Sequence, residues 1–71
     1  MTRRFEFVGG SSAKFWEVGT VCCDVQIRYG RLGTAGQSLT KPFPDPATAR
    51  KHVEKLVGEK TAKGYVECAV R

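Results

Sequence analysis

The segment from Arg28 to Thr34 holds the residues of this chain best suited to binding a polyanion. It presents an aromatic ring, Tyr29, then Gly30, then the guanidinium of Arg31. An aromatic ring can stack on a base or pack against a sugar, and arginine donates a planar fork of hydrogen bonds to phosphate. Glycine lets a backbone approach closely because it has no side chain. The sequence therefore predicts that these residues lie together on a turn that grips nucleic acid.

Three further cations are predicted to lie beside this turn. Arg28 directly precedes Tyr29, and Lys14 and Lys41 belong to strands expected to lie near it. Contacts to phosphate position a protein on nucleic acid without reading its sequence, and they weaken steeply as salt rises. We therefore expect little sequence specificity. The predicted nucleic-acid-binding residues are Arg28, Tyr29, Gly30, Arg31, Lys14 and Lys41.

The alternation of residue types argues for a different place for Tyr29. Val25, Ile27 and Tyr29 share one face of the third predicted strand, which runs from Val21 or Cys23 to Tyr29. By this parity Tyr29 belongs to the core face, whereas binding nucleic acid requires an exposed ring. The two interpretations agree only if the strand ends, bulges or twists before Tyr29.

Alternating and branched residues predict three further strands around this one. The first covers Arg3 to Val8 and the second Lys14 to Val18, with a break expected at Gly19 and Thr20. The fourth runs from Gln37 to Phe43 after a loop punctuated by glycines. Consecutive strands joined by such short turns favour an antiparallel sheet.

A helix is predicted to follow the fourth strand. Asp45 is a favourable N-cap, Pro46 suits the first helical position, and Gly64 favours the end. Five residues of this segment recur at helical spacing: Ala49, Val53, Leu56, Val57 and Lys60. Among them, Val53, Leu56 and Val57 can pack on the sheet. The segment from Tyr65 to Val70 either adds a short strand or packs back as a tail. We predict one α+β domain over residues 1–71, a small antiparallel sheet of four to five strands packed on one helix.

Composition narrows the function classes. The 71 residues include 12 Lys and Arg against 7 Asp and Glu, a formal net charge of +5 that attracts polyanions. The helix lysines and arginines alternate with Glu54 and Glu59, which indicates a solvated face rather than a groove-reading helix. The chain has neither an apolar membrane span nor the apolar region of a signal peptide, so we expect a cytoplasmic protein.

Catalysis and cofactor binding are not expected. His52 is the only histidine, and no motif places a nucleophile or a carboxylate beside it. The cysteines Cys22, Cys23 and Cys68 form neither a disulfide framework nor a zinc-ligand spacing. We therefore predict a non-enzymatic protein with no cofactor and no metal.

The order of these segments resembles the WGR domain, which is named for a Trp-Gly-Arg motif. Tyr29 stands here in the place of the tryptophan, followed by Gly30 and Arg31. The resemblance covers nearly the whole chain and extends to four further segments: Lys14 to Val18, Gly36-Gln37, Lys41 to Phe43 and Ala49 to Tyr65.

The resemblance implies roles for two of these residues. In WGR domains of DNA-damage-dependent poly(ADP-ribose) polymerases, the tryptophan packs against the exposed sugar at a DNA end. The arginine there contacts DNA and a neighbouring domain. By position these roles fall on Tyr29 and Arg31, with weaker end binding expected because tyrosine offers less ring area than tryptophan. The chain resembles stand-alone bacterial WGR domains, and 71 residues leave no room for a polymerase domain.

Two kinds of partner remain open from the sequence. One is DNA, at its ends, at nicks or along its backbone, or another nucleic acid. The other is a partner protein that docks on the same turn and pairs a carboxylate with Arg31, because arginine and tyrosine are common interface anchors.

Overall fold

Residues 2–68, which the computed structural model describes, form one five-stranded sheet and one helix. The elements are β1 (Thr2–Gly9), β2 (Ser12–Val21), β3 (Asp24–Arg31), β4 (Gln37–Pro42), α1 (Pro46–Ala62) and β5 (Val66–Cys68). All neighbouring strands pair antiparallel, in the order β4-β3-β2-β1-β5. The predicted α+β fold is confirmed.

The predicted break at Gly19 and Thr20 is wrong, because both residues lie inside β2. They pair with Gln26 and Val25 of β3. The chain reverses two residues later, where Cys22 adopts a φ of 55°. This left-handed backbone at Cys22 makes the tight connection between β2 and β3.

The Tyr29-Gly30-Arg31 segment is likewise strand and not turn. β2 begins at Ser12, so its first residues are available to pair with the end of β3. The pairing extends as far as Arg31, which lies opposite Lys14. The reversal comes after Arg31, whose carbonyl accepts hydrogen bonds from the Thr34 amide at 3.1 Å and the Thr34 hydroxyl at 2.7 Å. The motif side chains therefore alternate between the two faces of the sheet.

The helix begins and ends where the sequence predicts. Asp45 accepts a hydrogen bond from the Thr48 amide at 2.7 Å, and the contacts to that amide lower the pKa of the Asp45 carboxyl. Gly64 follows the helix with a φ of 103°, a conformation that favours glycine. Ala49 and Val53 are buried and Leu56 and Val57 half-buried, which confirms the apolar stripe. The buried core cluster comprises Phe5, Trp16, Val18, Val25, Ala49 and Val53.

The sheet face away from α1, which we call the open face, is covered by side chains of the sheet itself. Phe15 lies on this open face, yet only 2% of its surface is exposed. The Arg4 and Arg28 guanidinium carbons lie 4.8 and 5.4 Å from the centroid of its ring. Their stems and flat guanidinium groups cover the ring in place of a second helix.

Candidate nucleic-acid interface

Tyr29 lies on the face of β3 that packs toward α1 and is nevertheless exposed. Its directly paired neighbour is Trp16 in the core. Cover by the helix thins along the strand, since Val25 is buried, Ile27 half-buried and Tyr29 40% exposed. The Tyr29 hydroxyl donates a 3.3 Å hydrogen bond to the Gln37 side-chain oxygen. Parity therefore gives the correct face, and the strand needs neither an early end nor a bulge to expose the ring.

Two cations flank the end of β3 on this same face. Lys14 and Arg31 occupy directly paired positions of β2 and β3. Like charges placed directly opposite each other in an antiparallel pair repel and destabilise the sheet. Within residues 2–68, neither side chain forms a salt bridge. An anion bound between them would relieve this repulsion.

A third cation, Lys60 in the last turn of α1, lies near Lys14 and Arg31. Its Nζ lies 5.6 Å from the centroid of the Trp16 ring and 5.4 Å from that of Tyr65. Burial lowers the pKa of Lys60, and the charges of Lys63 and Lys14 lower it further against the opposing effect of Glu59. We call Lys14, Arg31 and Lys60 the basic rim.

The basic rim borders an apolar groove between the end of α1 and the sheet. The groove has a volume of about 500 Å³. Leu39 of β4 is 44% exposed at the groove, and Glu59 is the acidic residue among the lining residues that the structure describes. Apolar side chains make up most of the wall: Trp16, Ile27, Tyr29, Leu39, Leu56 and Tyr65.

Arg28 and Lys41 are not part of this arrangement. The Arg28 side chain lies on the open face, where it donates hydrogen bonds of 3.0 and 3.2 Å to Glu17. Lys41 pairs with Val25, four residues from Tyr29 along β3 and so about 13 Å away. Its Nζ lies 5.9 Å from the centroid of the Phe43 ring. Of the predicted cations, the structure brings Lys14 and Arg31 to Tyr29 and leaves Arg28 and Lys41 elsewhere.

Glu17 neutralises the cations of the open face. It accepts hydrogen bonds from both Arg28 and Arg4. Burial by itself would raise the pKa of the Glu17 carboxyl, but the hydrogen bonds and charges of the two arginines outweigh burial and lower it. A carboxyl whose pKa is lower in the folded state stabilises the fold above its unfolded pKa, and that contribution is lost as pH falls through the folded pKa.

Replacing Glu17 with glutamine should therefore weaken the fold and reduce its sensitivity to acid. We expect Glu17→Gln to lower the free energy of unfolding by about 1–2 kcal/mol at pH 7, because the arginines lose their charged acceptor. The difference from wild type should shrink as the pH falls below about 4, near the pKa of an unfolded glutamate. Urea denaturation at several pH values measures this. A constant difference across that range would contradict the role given to the carboxylate.

The described residues offer little for other kinds of site. Residues 2–68 contain no cluster of three or more His, Cys, Asp or Glu side chains able to hold a metal ion. His52 packs on Phe43 with ring centroids 4.9 Å apart. Burial is the main cause that raises the pKa of the Cys68 thiol, which lowers the fraction of reactive thiolate. Among the described residues, the 17-residue helix α1 has neither the length nor the apolar character of a membrane span.

Comparison with known proteins identifies the family. The WGR domain family matches residues 1–70. The chain belongs to the WGR domain family. It is 43% identical over 67 residues to Protein YehF of Escherichia coli K12 and 33% identical over 67 residues to the uncharacterised protein YfeS of the same organism. These alignments cover 94% of this chain but only 24% and 28% of the relatives, so the WGR domain spans about a quarter of their length.

A solved structure shares both the fold and the sequence pattern. This is the crystal structure of a protein from Bacteroides fragilis, with a TM-score of 0.95 and 45% identity. The match covers 97% of the present WGR domain and 20% of the crystallised chain. The arrangement of sheet and helix described above is thus the arrangement found in a larger bacterial protein.

The glycine of the WGR motif has a packing role. Gly30 points to the open face, opposite to Tyr29, and a Cβ there would lie 2.7 Å from the Gly36 Cα. A Cβ at Gly36, whose φ is 70°, would lie 2.3 Å from the Tyr29 carbonyl oxygen and 2.7 Å from the Phe15 ring. The two glycines let the loop after β3 fold closely over Phe15. Gly30 therefore allows the close approach of another backbone segment of the WGR domain, at Gly36, rather than of a ligand.

Lys60 is the site residue that the sequence interpretation missed. The charge pattern assigns Lys60 to the solvated face with the other lysines of α1, although it lies seven residues after Val53, at the spacing of the apolar stripe. A lysine at that position of an amphipathic helix faces the packed side, and its long stem can carry the ammonium to the edge. The stripe therefore held a signal for Lys60, but its meeting with Lys14 depends on how α1 crosses the sheet.

Proposed function

We propose that this WGR domain is a non-enzymatic nucleic-acid-binding module that holds a DNA backbone or end at the Tyr29-Gly30-Arg31 end of β3. The basic rim carries this proposal, because Lys14, Arg31 and Lys60 converge without salt bridges around an exposed aromatic ring within the described chain. The other sheet arginines, Arg3, Arg4 and Arg28, are all paired with carboxylates. An unpaired cation cluster is suited to phosphate.

The chemistry of the site favours shape and charge over base sequence. Lysine meets phosphate as a point charge, and arginine forms bidentate hydrogen bonds with it. The Tyr29 ring offers a flat surface to a sugar or base of any identity. The helix α1 carries no asparagine or glutamine with which to read bases in a groove, so we expect weak sequence preference. Lys41 adds to the long-range field rather than to the contact, and the charge of Arg28 is neutralised by Glu17.

Membership of the WGR family also supports nucleic-acid binding. WGR domains serve as nucleic-acid-binding modules in poly(ADP-ribose) polymerases, where the motif tryptophan and arginine contact a DNA end. Tyr29 and Arg31 occupy those motif positions here. Tyr29 keeps a flat exposed ring with less area than an indole, so we expect weaker end binding than a tryptophan would give.

Loss of Arg31 provides the direct test. We expect Arg31→Ala to lower affinity for duplex DNA about tenfold at low salt, the size of a charge-assisted hydrogen bond, and to reduce the salt slope by about one. Fluorescence anisotropy would measure this with blunt, nicked and circular duplexes and single strands at two salt concentrations.

Arg50→Ala is the matched control. Arg50 is an exposed helix arginine without a salt bridge among the described residues, about 15 Å from Lys60 along α1. It removes the same charge away from the site, so affinity should stay within about twofold. No binding by wild type, or equal losses in both variants, would reject the proposed contact.

A protein partner is the second candidate, favoured by the apolar groove beside the basic rim. Exposed Leu39 and Tyr29 with Arg31 at their edge have the composition of an interface anchor. The two candidates differ in their response to salt, because binding to an apolar groove depends weakly on it. If no nucleic acid binds at low salt, docking of a polypeptide becomes the leading interpretation.

A further inference from the structure

The groove between α1 and the sheet has the shape and lining to hold more than a phosphate. We propose that it receives one unpaired nucleotide at the end of a nucleic-acid strand, so that the domain prefers overhanging ends to blunt ones. This rests on the proposed function and adds to it the class of substrate.

Size and wall chemistry suit a single base with its sugar. A volume of about 500 Å³ lies within the range of about 300–1,000 Å³ typical of small-molecule sites. Tyr29 and Tyr65 present aromatic rings in the wall, with Leu39 and Leu56 completing the apolar surface. Stacking on aromatic side chains holds bases of any type. A base paired within a duplex cannot enter such a groove without leaving its stack, which costs a few kcal/mol, whereas an unpaired end is free to enter.

The charges lie where the backbone of such a nucleotide would pass. Lys60 approaches from the helix side, and Arg31 and Lys14 from the strands. The burial that lowers the pKa of Lys60 means that its ammonium has lost part of its hydration, which a phosphate oxygen would replace. Three cations against the carboxylate of Glu59 leave a net charge of about +2, which matches two successive phosphates of one strand at one charge each.

Glu59 distinguishes a nucleotide from a purely acidic partner. Its carboxylate lines the groove and would repel the side chains of an acidic peptide. A nucleotide offers both signs of polarity, because its phosphates meet the basic rim while a base amino group or sugar hydroxyl can donate to Glu59. Charge complementarity therefore favours a strand end over an acidic polypeptide.

The test compares DNA stem-loops that differ only at their single open end. One end is blunt, one carries a two-nucleotide overhang, and one carries the same overhang without bases, with a fluorophore in the loop. We expect wild type to bind the normal overhang roughly fivefold or more tightly than the blunt end, with the abasic overhang at the blunt level. Trp16, the one tryptophan of the chain, lines the groove and should change its emission only with the base-bearing overhang.

Two matched truncations test the location. Leu39→Ala removes an exposed wall of the groove and should lower the overhang preference, the ratio of overhang to blunt-end affinity, to about twofold or less. Val21→Ala shortens a similarly exposed side chain outside the groove, at 53% exposure against 44% for Leu39, and should keep the full preference.

The failures of the two proposals are distinguishable. Arg31-dependent binding with equal affinity for blunt, normal and abasic ends would overturn the nucleotide groove and leave the proposed function standing. Preference for the overhang that survives Leu39→Ala would also overturn the groove as its location. Displacement by a free nucleoside monophosphate at the concentration of the overhang itself would overturn the strand end as ligand. Absence of binding to every DNA would overturn both proposals.

Discussion

Replacing Gly36 with alanine should remove about 2–5 kcal/mol of folding free energy, since it combines a left-handed backbone cost of about 1–2 kcal/mol with overpacking of about 1–3 kcal/mol. The added Cβ would meet the Tyr29 carbonyl oxygen at 2.3 Å and the Phe15 ring at 2.7 Å. A domain of this size has a total stability of about 4–10 kcal/mol. Urea denaturation followed by Trp16 emission should show a large loss.

Other glycines of the chain separate the two causes. Gly33 has a φ of 87° with open space around it, so Gly33→Ala isolates the backbone cost. Gly30 lacks a positive φ but would meet Gly36 at 2.7 Å, so Gly30→Ala isolates the packing cost. Gly58 lies in α1 with open space, so Gly58→Ala should stabilise by about 0.5–1 kcal/mol. If Gly36→Ala costs no more than Gly33→Ala, the close packing over Phe15 is not a source of stability.

Removing both strand cations of the basic rim should separate binding from stability. We expect Lys14→Gln with Arg31→Gln to lower affinity for DNA about a hundredfold at low salt and to reduce the salt slope by about two. The free energy of unfolding should hold or rise by about 0.2–1 kcal/mol, because the paired like charges are gone. Anisotropy titration and urea denaturation of the same preparation measure both effects.

A charge-matched control is available on α1. Arg50→Gln with Lys51→Gln removes the same two charges from exposed helix positions near the other end of the domain. This control should lose at most a few fold in affinity, through the weaker long-range field alone. Equal losses in both double variants would show that net charge, and not the basic rim, governs binding. A large loss of stability in Lys14→Gln with Arg31→Gln would contradict their mutual repulsion.

A WGR domain can accommodate tyrosine at the tryptophan position of its motif because this position lies outside the buried core. Trp16, directly paired with Tyr29, already fills the core on that face. Tyr29 stands beyond the helix cover, so its ring contributes modestly to the core and is available to a ligand. Gly30 and Phe15 pack together on the open face, and Tyr29 and the basic rim lie on the face toward α1. Both faces of β3 contribute to stability, through Val25 on the α1 face and Gly30 on the open face, and Tyr29 is available for binding where the helix cover ends.

The sequence alone determined the elements whose signals are local. Asp45 and Pro46 define the start of α1 and Gly64 its end, because capping depends on a few neighbouring residues. Alternation along β3 assigned Tyr29 to the core face correctly, since the period of two is a property of any extended strand. The family motif and the fold class followed from the same local order of strands and helix.

Tertiary structure decided everything that depends on pairing and cover. Whether Arg31 lay on a turn or in a strand was determined by β2, which supplies ladder partners as far as Lys14. The exposure of Tyr29 was determined by where α1 stops covering the sheet. The salt bridge from Glu17 to Arg28 determined that Arg28 is not available to a ligand. Lys60 joined Lys14 only because the helix returns over the sheet. Contacts between residues distant in the chain have no local signal, and these contacts selected the basic rim.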